Sequence, residues 1–108
     1  MTKYLLLSLL FAISMQPAIG SAQLPEERQQ ELKHMLLHDC GSCHGMTLNG
    51  GLGPALTAEA LTAKPEDYLF VTVRDGHPGT PMPPWSAILS EEEIAWIVSY
   101  LKSGEAQQ

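Results

Sequence analysis

Basic residues are scarce: six Lys and Arg stand against twelve Asp and Glu in 108 residues, for a net charge of −6. Nucleic acid rewards clustered positive charge, so this balance argues against a nucleic-acid partner. Cysteine is scarcer, with only Cys40 and Cys43. One pair provides neither the disulfide framework of small secreted scaffolds nor a four-cysteine zinc site. No apolar run approaches the roughly 20 residues a helix needs to cross a bilayer. No repeat recurs, and no Ser–His–acid or paired-carboxylate arrangement stands out. Val71-Thr72-Val73 has strand propensity but no second segment to pair with, so a sheet is not expected.

What is present begins with a targeting pattern. Lys3 precedes an apolar run from Leu5 to Ile13, broken only by Ser8, and the small residues Ala18, Gly20 and Ala22 follow. This is the layout of a secretory signal peptide, with cleavage expected after Ala22 and Gly20 as the second choice. Residues 1–22 are then a leader and residues 23–108 a single domain, with no stable membrane span after cleavage. Five basic and twelve acidic residues remain, a net of −7, which favours a partner with a positive docking patch. A domain of this size buries only about 60–65% of its unfolded surface. A disulfide, metal or large apolar cofactor is a common supplement.

The pattern within the domain is helical throughout. Pro25 suits a first helical turn, with Glu26 and Glu27 at its positive end. Leu32, Met35 and Leu36 share one face, which Cys40 extends by a turn. Residues 45–53 are glycine-rich and turn-forming. Thr57 can cap a single turn over residues 58–61. A further helix is expected from Pro65 to Gly76, with Leu69, Thr72 and Val73 on one face. Residues 77–84 hold four prolines and form a loop. Ser90 and Glu93 make a capping box that opens a last helix, with Ile94, Ile97, Val98 and Leu101 facing inward. Trp96 and Tyr100 form a second stripe on that helix, expected to pack on the first. The expected fold class is all-α.

Cys40-Gly41-Ser42-Cys43-His44 carries the chemistry. Two thiols at this spacing can each reach a vinyl group on one edge of a porphyrin, and the next residue then presents its imidazole to the iron. Gly41 and Ser42 are small enough for the backbone to lie close to the ring. The motif is that of covalent haem c attachment. A thioredoxin-like redox pair needs a sheet, and a zinc site needs further ligands. A structural disulfide is the remaining alternative. The second axial ligand must approach from the opposite face. Met46 is two residues from His44, a reach of at most about 7 Å, too short to round the ring. Met82, in Thr80-Pro81-Met82-Pro83-Pro84-Trp85, has the reach, and the flanking prolines stiffen it. His77 is its rival. His34 and His38, at i and i+4 on the first helix, are most simply a solvated face.

In this order of features, over about residues 30–101, the chain resembles the class I cytochrome c family. The shared features are the leading helix, the Cys40–His44 motif, Gly53-Pro54, the helix ending at Gly76, Met82-Pro83-Pro84 and the terminal helix. The resemblance implies a small helical bundle whose first and last helices cross, around one haem with a partly exposed edge. It implies that the Pro54 carbonyl accepts a hydrogen bond from His44, and that Leu56 packs on the haem. Leu32 departs from the small residue that many relatives carry where the terminal helices cross. Gly45-Met46-Thr47-Leu48 and Pro78-Gly79-Thr80-Pro81-Met82-Pro83-Pro84-Trp85 look more narrowly like the cytochrome c55X group. That resemblance implies a periplasmic one-electron carrier rather than an enzyme. Its partner would be cytochrome cd1 nitrite reductase or the proteins that make haem d1. A haem enzyme or gas sensor with an open sixth site is the contrasting class, and Met82 is the residue that separates them.

Overall fold

A computed structural model describes residues 23–108, and the leader expected over residues 1–22 lies outside the described residues. Among the described residues there are helices and turns and no strand, as the sequence pattern implied. Helix α1 spans Glu26–Met35. Pro25 sits just ahead of it rather than within its first turn, and the Pro25 carbonyl accepts the Gln29 amide at 3.0 Å. The backbone then winds without a break through a π-helical turn, Leu36–Cys40, into the short helix α2, Gly41–His44. In that turn the Gly41 amide reaches back five residues to the Leu36 carbonyl. The wider turn resets the direction in which every following side chain leaves the helix.

Helix α3, Ala58–Leu61, starts where the Thr57 hydroxyl accepts the Ala60 amide at 3.1 Å. Helix α4, Glu66–Asp75, is flanked by Pro65 at its start and Gly76 at its end. Its Val71-Thr72-Val73 segment is helical despite its strand propensity. The Thr72 hydroxyl donates to the Tyr68 carbonyl at 2.8 Å, a bond the helix itself supplies. Helix α5, Glu91–Ser103, carries the complete capping box, and a 3-10 turn, Glu105–Gln107, follows Gly104. None of the described helices is long and apolar enough to cross a membrane.

The core joins Leu32 and Leu36 of the first helical stretch to Ile94, Ile97 and Leu101 of α5, with Leu48, Leu61 and Leu89 between them. Leu32, the departure from the small residue of many relatives, is fully buried. At the surface α1 and α5 meet through Arg28 Nε and Glu93 Oε1, 2.6 Å apart, and through Lys33, whose Nζ lies 5.3 Å from the centre of the Tyr100 ring. Tyr100 in turn stacks on Trp96 at 4.9 Å.

Glu93 ties two elements at once, because its other oxygen accepts the Ser90 amide at 2.9 Å. The hydrogen bond from Arg28, followed by that from Ser90, holds its carboxyl below the ordinary value of 4.5. A carboxyl lowered by folding stabilises above its unfolded pKa, and the gain is lost as pH falls through the lower folded value. Glu93→Ala is expected to cost about 1–2 kcal/mol at pH 7, from the lost cap and ion pair. Urea unfolding at pH 7 and at about pH 3 checks this, since the gap between variant and wild type should narrow in acid.

Candidate functional site

The continuous run from α1 to α2 delivers Cys40, Cys43 and His44 to one end of the core. Both cysteines are free and half-buried. Burial, reinforced by the charge of Asp39, pushes the Cys40 thiol up to about 11. With no sheet among the described residues, the thioredoxin-like alternative lacks its fold.

The loop after α2 folds back over His44. Gly45, at φ +91°, breaks the helix, and a β-carbon there would lie 2.6 Å from the Gly50 carbonyl oxygen. The Gly50 amide bonds the His44 carbonyl and the Gly53 amide bonds the Cys43 carbonyl, both at 2.8 Å. Leu48 pins the loop to the core: it is fully buried, and its amide and carbonyl bond Gly45 and Leu56, each at 2.8 Å. It also holds φ +59°, the left-handed region that costs a non-glycine residue about 1–2 kcal/mol. Burying a leucine side chain returns about 1.5–3 kcal/mol, enough to hold the strained backbone.

This loop brings the Pro54 carbonyl to 2.7 Å from His44 Nδ1. A carbonyl only accepts, so Nδ1 carries the proton and Nε2 is left with a free lone pair. Gly53 lies against the same ring, where an added β-carbon would sit 2.8 Å from both Cε1 and Nδ1. Gly53→Ala is therefore expected to turn the imidazole away and lengthen its bond to Pro54. Proton NMR of the His44 Nδ1–H should show faster exchange with solvent than in the wild type.

Met82, the other expected axial ligand, is half-buried. Its loop is tied to the end of α4: the His77 amide bonds the Met82 carbonyl at 3.2 Å, and the Trp85 amide bonds the Val73 carbonyl at 3.0 Å. The Thr80 hydroxyl donates to the His77 carbonyl at 2.6 Å and accepts the Met82 amide at 3.3 Å. His77 itself is exposed, and Leu56 packs on the edge of the core. No hydrogen bond joins the His44 loop to the Met82 loop among the described residues, so each loop is braced independently. The His34 and His38 rings lie 4.1 Å apart on the exposed side of the helix, and no larger group of metal-capable side chains occurs among the described residues. Leu48 and Trp85 enter the sequence reading only as members of the two segments that carry the narrower resemblance. The one is an apolar residue inside a glycine-rich turn, the other an aromatic directly after a proline pair.

The donor set fits a haem. It offers two free thiols three positions apart, an imidazole with Nε2 available, and a thioether on a stiff loop. Helices alone, threaded in this order past such a set, define a class I c-type cytochrome.

Comparison with known proteins narrows the class. Residues 27–101 match the family described as cytochrome c oxidase, cbb3-type, subunit III. The chain is 51% identical over 102 residues to cytochrome c55X of Pseudomonas aeruginosa, covering 94% of this chain and 85% of that protein. It is 54% identical over 88 residues to cytochrome c55X of Stutzerimonas stutzeri, covering 82% and 78%. A solved structure of the c-type cytochrome NirC superposes with a TM-score of 0.75 at 54% identity, over 77% of this chain and 98% of that one. The chain belongs to the cytochrome c55X family of class I c-type cytochromes.

Proposed function

We propose that the chain is a periplasmic one-electron carrier, with one haem c bonded through Cys40 and Cys43 and held between His44 and Met82. The observation that carries the reading is the 2.7 Å contact of His44 Nδ1 with the Pro54 carbonyl. It fixes the tautomer, orients the ring and makes Nε2 a better donor to a metal, the usual arrangement for a ligating histidine. A bound haem supplies an iron that gains and loses one electron. The protein's own part is to keep both axial side chains in place in either state. On one side the glycine-packed loop of residues 45–54 restrains the imidazole, and on the other the braced proline segment restrains the thioether. Little then has to move when the charge changes. Leu56 is assigned to the lining of the ring, and the export expected from residues 1–22 suits a cytochrome matured outside the cytoplasm.

Cytochrome cd1 nitrite reductase is the proposed electron acceptor, with the proteins that make haem d1 as the second. Family membership and the net charge of −7 over residues 23–108 support a redox partner with a positive docking patch. Two experiments test the reading. Haem absorbance that survives denaturation of the purified protein is expected, and its absence would remove the cofactor assignment. Stopped-flow mixing of the reduced protein with oxidised cytochrome cd1 nitrite reductase should give fast oxidation that slows as salt rises past about 0.1 M, where screening shortens to about 10 Å. Slow oxidation indifferent to salt would direct attention to haem d1 assembly.

A further inference from the structure

We infer that His34 and His38 together bind a divalent transition-metal ion, copper(II) above the others, on the outer face of the leading helix. Neither histidine belongs to the Cys40–His44 motif or to the Met82 loop. Both side chains are exposed, and their ring centres lie 4.1 Å apart at an interplanar angle of 42°. Four residues carry an α-helix about 40° past a full turn. The π-helical turn that opens at Leu36, between the two histidines, is wider and absorbs part of that excess, so His38 stands more nearly over His34. Of the histidine rings among the described residues, only that of His44 hydrogen-bonds to the protein, which leaves the nitrogens of this pair free for a ligand.

A metal ion held by two imidazoles lies in the plane of both rings. Parallel planes share no point, whereas planes tilted by 42° meet along a line. A donor nitrogen sits about 2 Å from such an ion, which puts each ring centre about 3.2 Å away. Two rings at right angles on one ion then have centres about 4.5 Å apart, and rings in a tetrahedral set stand wider. The observed 4.1 Å is nearer the first, the tetragonal arrangement of copper(II), which also heads the affinity order of divalent first-row ions. The surroundings suit a cation. The basic neighbours on α1 are engaged elsewhere, Lys33 at the Tyr100 ring and Arg28 with Glu31 and Glu93, while Asp39 is exposed next to His38. The net charge of −7 over residues 23–108 adds a long-range attraction.

The test titrates the purified holoprotein with copper(II) chloride in a non-coordinating buffer, followed by calorimetry. The ferric state is used, so that the haem has no electron to pass to the copper. The variants are His34→Gln, His38→Gln and the two combined, and the double variant measures copper held anywhere else on the chain. Two donors fixed on one face act as a chelate, which raises affinity about 10²–10⁴-fold over one alone. Each single variant is therefore expected to bind at least about tenfold more weakly than the wild type. Electron paramagnetic resonance of the bound copper should show coupling to two nitrogens in the wild type and to one in either single variant. Zinc(II) chloride should bind the same pair more weakly. A wild type that binds copper no tighter than the double variant overturns the inference, and so does a loss confined to one of the two single variants. Zinc binding as tight as copper overturns the assignment of the metal.

Discussion

Carbon monoxide is expected to bind the ferrous Met82→Ala protein at neutral pH and to leave the wild type unchanged. Met82 is placed by its backbone: its carbonyl accepts the His77 amide, and its amide is held by the Thr80 hydroxyl. Removing the thioether leaves that scaffold standing, because the loop is secured to α4 through the Trp85 and Ser86 amides and not through the methionine side chain. The substitution should therefore expose the sixth position without unfolding the protein, so carbon monoxide reports the ligand and little else. The reduction potential should fall in the same variant, since histidine–methionine ligation raises it. An optical spectrum under carbon monoxide and a redox titration check both. An unchanged spectrum and potential would remove Met82 as ligand and turn attention to His77. A wild type that itself binds carbon monoxide would favour a sensor or enzyme with an open site.

Much of this arrangement was legible in the sequence because it is written in local signals. Thr57 caps α3, Ser90 and Glu93 box α5, and Gly76 stops α4, each by a hydrogen bond or dihedral that depends on a few neighbouring residues. The Cys40–His44 motif is as local, and its chemistry follows from its spacing. The features that were not legible are those decided by tertiary packing. The π-helical turn at Leu36–Cys40, closed by the Gly41 amide on the Leu36 carbonyl, is a choice of partner that no propensity encodes. Leu48 adopts φ +59° in a stretch rich in turn residues, where only the assembled core makes its burial worth the strain. Trp85 reads only as the end of a loop motif until its indole nitrogen is found buried without a partner among the described residues.

The same reasoning assigns a large stability effect to Gly76. Replacing it with alanine is expected to cost about 2–6 kcal/mol, the sum of two independent penalties. The first is conformational: Gly76 holds φ +75° and ψ −177°, a region essentially restricted to glycine, at about 1–3 kcal/mol for any other residue. The second is steric: a β-carbon would lie 2.7 Å from the Met82 carbonyl oxygen and 2.9 Å from Pro83 C and Pro84 N. All three are backbone atoms, so no side chain can swing aside, and a forced backbone shift adds about 1–3 kcal/mol. The midpoint of thermal unfolding should fall by at least about 10 °C for a domain of this size. Gly79→Ala is the control: that residue also has a positive φ, +81°, but nothing lies within 4 Å of an added β-carbon, so it meets only the conformational penalty. Because the atoms in the way at Gly76 belong to the Met82 segment, the relief must come from moving that segment. The folded Gly76→Ala protein should then admit carbon monoxide, as Met82→Ala does, whereas Gly79→Ala should not. Equal thermal losses at the two glycines, with no carbon monoxide binding at either, would show that the Met82 loop is not held in place through Gly76.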